Sequence, residues 1–204
     1  MLNAQTEFER RDKEIEEFLL HLEGLEGEIG ISASLMNTMK SGVLVMLYNA
    51  VESTMTNLMQ DVFDHLKTQN VDFINLNEKM KSIVLSYSKR RNPVKLVKKM
   101  TESKLGLAIA CFERSDVFSG NIDCKVIRDT MTELGVTSRH RYVDDALLKV
   151  KGERNDLAHG NKSFGDCGRA YSAADLRALH KKIKNILSKV IIDFEDYIAA
   201  KAYG

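Results

Sequence analysis

Proline is almost missing from this 204-residue chain: Pro93 stands alone, so long helices can run uninterrupted. Cysteine is sparse. Cys111, Cys124 and Cys167 are odd in number and form no Cys-x-x-Cys pair, which argues against a disulfide framework or a zinc knuckle and fits a reducing compartment. Charge of one sign is missing too. The formal net charge is +1, so overall charge points neither toward nucleic acid nor away from it. The longest apolar runs, 42–47 and 105–112, fall far short of the ~20 residues that cross a bilayer. The N-terminus is too charged for a secretion signal. There is no internal repeat, no low-complexity stretch, no Gly-rich phosphate loop and no Gly-x-Ser-x-Gly elbow. These absences leave a cytoplasmic, non-membrane, all-α protein of one domain as the expectation.

What is present is helical periodicity. Phe8, Ile15, Leu22 and Ile29 recur every seven residues, with Phe18, Leu19 and Leu25 between them, predicting a first helix over 6–25. Its other face is acidic: residues 7–28 hold nine Asp/Glu against three Lys/Arg, which reads as a solvated face. Gly24, Gly27 and Gly30 break the pattern. A second helix over 34–67 is apolar on every side in its middle, Val43 to Val51, and should be surrounded by other helices. Glu52 falls among Val45, Tyr48, Met55 and Met59. A carboxylate there is either partly exposed or held against a cation.

Residues 73–104 predict one or two helices broken at Asn92-Pro93. From Lys79 to Lys104 nine Lys/Arg face one acid, a net of +8, which suits a solvated face or contacts to phosphates. Leu105–Phe112 reads as a strand or a buried turn. Gly120-Asn121 is turn chemistry, followed by a helix over 123–134 that Gly135 stops. A further helix should begin near Arg141, with Val143, Ala146, Leu147, Val150, Leu157 and Ala158 as its apolar stripe. Ser172 and Asp175 form a capping box that opens a long last helix. On that helix His180 reads as structural. His21, His65 and His140 lack ligand-spaced partners, so no metal and no cofactor is expected.

Chemistry concentrates in Glu153-Arg154-Asn155-Asp156-Leu157-Ala158-His159-Gly160. Arginine presents a planar fork of donors suited to phosphate, histidine moves protons near neutral pH, and asparagine can orient a neighbour. Arg154 and His159 would point about 140° apart on an unbroken helix. Either the backbone turns around Ala158–Gly160 and brings His159 back, or the two groups meet across two chains. An ion-paired helix end with a capping histidine would produce the same spacing.

The string Arg154-Asn155-x-Leu157-Ala158-His159-Gly160 resembles the signature of the HEPN superfamily, whose nucleases carry an arginine, a polar residue and, a few positions on, a histidine. Leu47-Tyr48-Asn49-Ala50-Val51-Glu52 resembles that family's second-helix signature. The block Phe118-Ser119-Gly120-Asn121-Ile122-Asp123, with Ser163-Phe164, is similar to the toxin-type branch of bacterial defence and toxin–antitoxin systems. The resemblance spans most of the chain and is weakest over 75–110. It implies an up-and-down helical bundle over 1–204, with about 73–135 as an inserted helical lobe. It implies a metal-independent endoribonuclease, a toxin or phage-defence effector, in which His159 acts as general acid or base, Arg154 binds the scissile phosphate and Asn155 orients both. Glu52 is the supporting carboxylate, and Lys151 and Lys162, which flank the motif, are the expected RNA contacts. The implied partners are RNA, a second copy in a homodimer, and an antitoxin or second HEPN protein. Members silenced by nucleotidylation carry tyrosine where this chain has Asn161, which puts that control in doubt. The alternative is a non-catalytic helical binding module, such as an antitoxin or an inactive HEPN subunit.

Overall fold

The computed structural model describes residues 1–26, 30–118 and 120–204. Ile29, Gly27 and Ser119 therefore lie outside the described residues. Among the described residues there are nine α-helices and no strand: α1 (Asn3–Leu25), α2 (Ala33–Thr68), α3 (Glu78–Lys89), α4 (Pro93–Ser103), α5 (Leu107–Cys111), α6 (Cys124–Leu134), α7 (Ala146–Ala158), α8 (Phe164–Arg169) and α9 (Ala173–Ala199). Short 3-10 turns lie at Phe73–Asn75 and Arg114–Asp116.

The apolar middle of α2 makes it the hub. Val43, Leu44, Leu47, Ala50, Val51, Met55 and Leu58 are buried, and α1, α5, α7, α8 and α9 all pack against it. Caps written in the sequence set the helix limits. The side chains of Ser32, Asn77, Asn92, Asp123, Ser163 and Ser172 each accept a backbone N–H from the first turn that follows. Gly135 ends α6 in the left-handed conformation. α8 approaches α2 so closely that a Cβ on Gly168 would lie 1.8 Å from the carbonyl oxygen of Asn37.

Three expectations are corrected. The acidic face of α1 is not simply solvated, because part of it docks α9. Arg177 donates to both oxygens of Glu23 (2.9 and 2.8 Å), while buried His180 (2.7 Å) and Lys184 (2.5 Å) share Asp12. Leu105–Phe112 is neither strand nor turn. It holds the one-turn helix α5, whose carbonyls at Ala110 and Cys111 accept from Lys99 and Arg91. Some of the basic charge of 79–104 is thus structural. Finally, α7 begins at Ala146, not near Arg141, and Val143 is exposed. The preceding segment is held out of helix by Tyr142, which is buried and donates to Asp193 on α9, and whose carbonyl accepts from Arg128.

Candidate active site

The loop 120–123 is where α2, α6 and α7 converge, and four side chains grip it. Tyr48 of α2 accepts the backbone N–H of Ile122 at 3.0 Å. Asp123 caps α6 with one oxygen and pairs with Lys151 of α7 through the other. Asn155 donates to the side chain of Asn121 at 3.0 Å, and Arg154 reaches the carbonyl of Gly120 at 3.5 Å. Gly120 sits at φ +81°, a conformation that side-chain-bearing residues rarely adopt.

Arg154 is enclosed rather than free. Its guanidinium lies 4.9 Å from the ring centroid of Tyr48, 3.8 Å from the Glu52 carboxylate, and donates to the Asn155 amide oxygen at 3.1 Å. Arginine can only donate, so this contact fixes the orientation of the Asn155 amide, whose nitrogen then faces Asn121. Burial pushes the Tyr48 phenol up from its usual range, so it stays neutral beneath the guanidinium. The cation that Glu52 is held against is Arg154. The contact is not a two-point fork, and each side chain keeps about a third of its surface exposed (31% and 30%). Arg154 therefore retains donor capacity toward solvent.

His159 lies elsewhere. α7 stays helical up to it: His159 has φ −91° and ψ −1°, and its N–H donates to the Asn155 carbonyl at 2.9 Å. The chain turns only afterwards, at Gly160 (φ +72°). The local turn that would return His159 to Arg154 does not form. The histidine is exposed at the end of the helix, and its ring has no hydrogen-bond partner among the described residues. Asn155 thus positions Arg154 and Asn121, not Arg154 and His159.

The two lysines expected to hold RNA have internal partners. Lys151 pairs with Asp123, and both are mostly shielded. Lys162 bridges Glu153 (2.9 Å) and Asp156 (3.0 Å), which raises its ammonium well above the ordinary range. Burial acts to raise Glu153, but hydrogen bonds from Lys162, Cys167 and Tyr171 outweigh it and hold the carboxyl low.

On the far side of Glu52 opens a cleft of about 580 Å³ between α1, α2 and the Arg114–Asp116 turn, with Arg11, Asn49, Arg114 and Phe118 in its walls. The cleft is not legible in the sequence, because Arg11 and Arg114 belong to unrelated segments. Nor are the contacts of Tyr48 and Asn121 around the motif, although the turn chemistry of Gly120-Asn121 marks the loop. No group of three His, Cys, Asp or Glu is placed to hold a metal ion, and no helix is long and apolar enough to cross a membrane, among the described residues.

No curated protein and no solved structure matches the chain. A family model does: MAE_28990-like HEPN, over residues 3–203. That match takes in the hub helix, the gripped loop and the motif helix together, and the chain belongs to the HEPN superfamily.

Proposed function

We propose that this protein is an endoribonuclease that cleaves RNA without a metal ion, as a toxin or phage-defence effector. The observation that carries the reading is Arg154, a cation held on three sides by Glu52, Tyr48 and Asn155 with donors left for a phosphate. In the proposed reaction the ribose 2′-oxygen attacks the adjacent phosphorus as a general base removes its proton. The new P–O2′ bond forms, the P–O5′ bond breaks, and a general acid protonates the leaving 5′-oxygen. The products are a 2′,3′-cyclic phosphate and a 5′-hydroxyl. Arg154 neutralises charge growing on the phosphoryl oxygens, and His159 carries a proton in one of the two transfers.

Within one chain α7 stays helical up to His159, which sets it about 140° around the helix from Arg154, so the reading includes a homodimer in which two α7 ends share a cleft. Purified protein with labelled RNA in EDTA tests it. Cleavage should be lost in Arg154→Ala and in His159→Ala, and partly regained when the two variants are co-expressed as mixed dimers. Cleavage at the parent's level by either variant sinks the reading.

A second reading is a non-catalytic module that binds another protein. It is favoured by one observation: Lys151 and Lys162, the cations flanking the motif, are already engaged with carboxylates. A parent protein that forms a stable complex but cleaves no RNA under any condition supports it.

A further inference from the structure

The cleft beyond Glu52 has the chemistry of a nucleotide site. Two guanidiniums face it, from Arg11 on α1 and Arg114 on the 3-10 turn. The carboxylate in its wall, Glu52, turns toward Arg154. Arg11 has only a distant carboxylate, Glu7 at 4.0 Å, and Glu7 is held mainly by Arg10 at 2.9 Å. The Nε–H of Arg11 is shielded from solvent and has no acceptor among the described residues. That nitrogen is the one turned to Glu7, too far for a hydrogen bond, so Arg11 is only weakly neutralised within the protein and its charge remains for an anion in the cleft.

Arg114 has no carboxylate within ion-pair distance among the described residues, yet its backbone is not left loose. Arg90 donates to the Asp116 carbonyl at 3.1 Å, Arg91 pairs with the Asp116 carboxylate, and Arg91 also reaches Glu113 at 3.2 Å. The basic end of α3 thus fixes the turn that presents Arg114. Phe118 supplies a ring beside these charges, and Asn49 an exposed amide able to donate and accept. A ring to stack on, an amide for a base edge and cations for phosphate are what single-stranded RNA needs from a protein. The volume, about 580 Å³, lies in the range of small-ligand sites.

We propose that this cleft holds the nucleotide next to the scissile phosphate in a single-stranded RNA, with its phosphate between Arg11 and Arg114 and its base against Phe118. The proposal rests on the ribonuclease reading for the position of the scissile bond. It names the strand's path: from Arg154, past Glu52, toward α1. The phosphate-binding role once expected of Lys151 and Lys162 passes to the two arginines.

The test measures binding of a fluorescein-labelled 2′-O-methyl decanucleotide, which cannot be cleaved by 2′-oxygen attack, to the full chain. Arg114→Glu and Arg11→Gln should each weaken binding about tenfold and lower the salt slope by about one. Phe118→Ala should weaken it independently of salt. Lys13→Glu, on the exposed side of α1, serves as the control and should stay within twofold. Arg114→Ala and Arg11→Lys, checked by thermal melting, cover any failure of the first pair to fold. In cleavage the cleft variants should raise KM and leave kcat near the parent value. Adenosine 5′-monophosphate should compete at least a hundredfold less well than a tetranucleotide; equal potency overturns the strand path in favour of a free-nucleotide site. If the parent cleaves RNA and the cleft variants bind and cleave like it, the subsite is wrong and the ribonuclease reading stands. If no RNA is cleaved but the cleft variants still lose affinity for the decanucleotide, the cleft binds single-stranded RNA, its place beside a scissile phosphate is overturned and the ribonuclease reading fails.

Discussion

Replacing Glu52 by glutamine keeps its shape and removes its charge, which isolates the electrostatic part of its contact with Arg154. At the observed 3.8 Å, an effective dielectric of about 20 gives a gross attraction of about 4 kcal/mol. Neither group is fully buried, so solvent screening and side-chain entropy take back much of that. Exposed pairs couple by ~0.2–1 kcal/mol, whereas removing one partner of a buried pair costs ~3–5 kcal/mol. With each side chain about a third exposed, we expect a coupling of roughly 1–2 kcal/mol between these limits. The assay is a double-mutant cycle by chemical denaturation: parent, Glu52→Gln, Arg154→Ala and both. Glu52→Gln should lower the unfolding free energy in the parent and do little once Arg154 is gone. Cleavage should fall with it, because the guanidinium loses one of its three fixed neighbours. A coupling below ~0.3 kcal/mol, the level of additive distant sites, would refute the reasoning.

Gly168→Ala should destabilise by ~3 kcal/mol or more, since its Cβ would collide with the Asn37 backbone rather than a movable side chain; a melting temperature near the parent's would count against the packing of α8 on α2. Tyr142→Phe strips the hydroxyl from buried Asp193 and should cost ~1–3 kcal/mol, read by denaturant midpoint, with an unchanged midpoint as the contrary result. Glu153 is held below its ordinary range, so its contribution to stability is complete above about pH 4.3 and drains away as pH falls through the lowered value. Lys162→Met should shrink that acid sensitivity in a melting series from pH 7 to pH 3, and an unaltered profile would contradict it.

Helices with a periodic apolar stripe and a cap in the chain are legible in the sequence alone. The box at Ser172 and Asp175, the break at Asn92-Pro93 and the stop at Gly135 each act within a few residues of themselves. That Glu52 is held against a cation was legible for a different reason: a carboxylate among Val45, Tyr48, Met55 and Met59 needs either solvent or a partner. What was illegible depends on distant partners. Tyr142 binds Asp193, and that contact sets where α7 starts. Lys151 and Lys162 look free beside the motif until Asp123 and Glu153 are folded against them. Arg11 and Arg114 share a cleft only because α1 and the 3-10 turn both border α2. The short α8 had no stripe to announce it, and only Ser163 marks its start.

The most direct measurement is the fate of one RNA oligonucleotide incubated with the purified protein in EDTA, in its ordinary form and with a single 2′-deoxy substitution at the cleaved nucleotide. The account predicts a 2′,3′-cyclic phosphate and a 5′-hydroxyl from the ordinary strand, no cut at the substituted position, and no product from Arg154→Ala. A cut that persists at the 2′-deoxy position, or that appears only on adding a divalent metal, would contradict it.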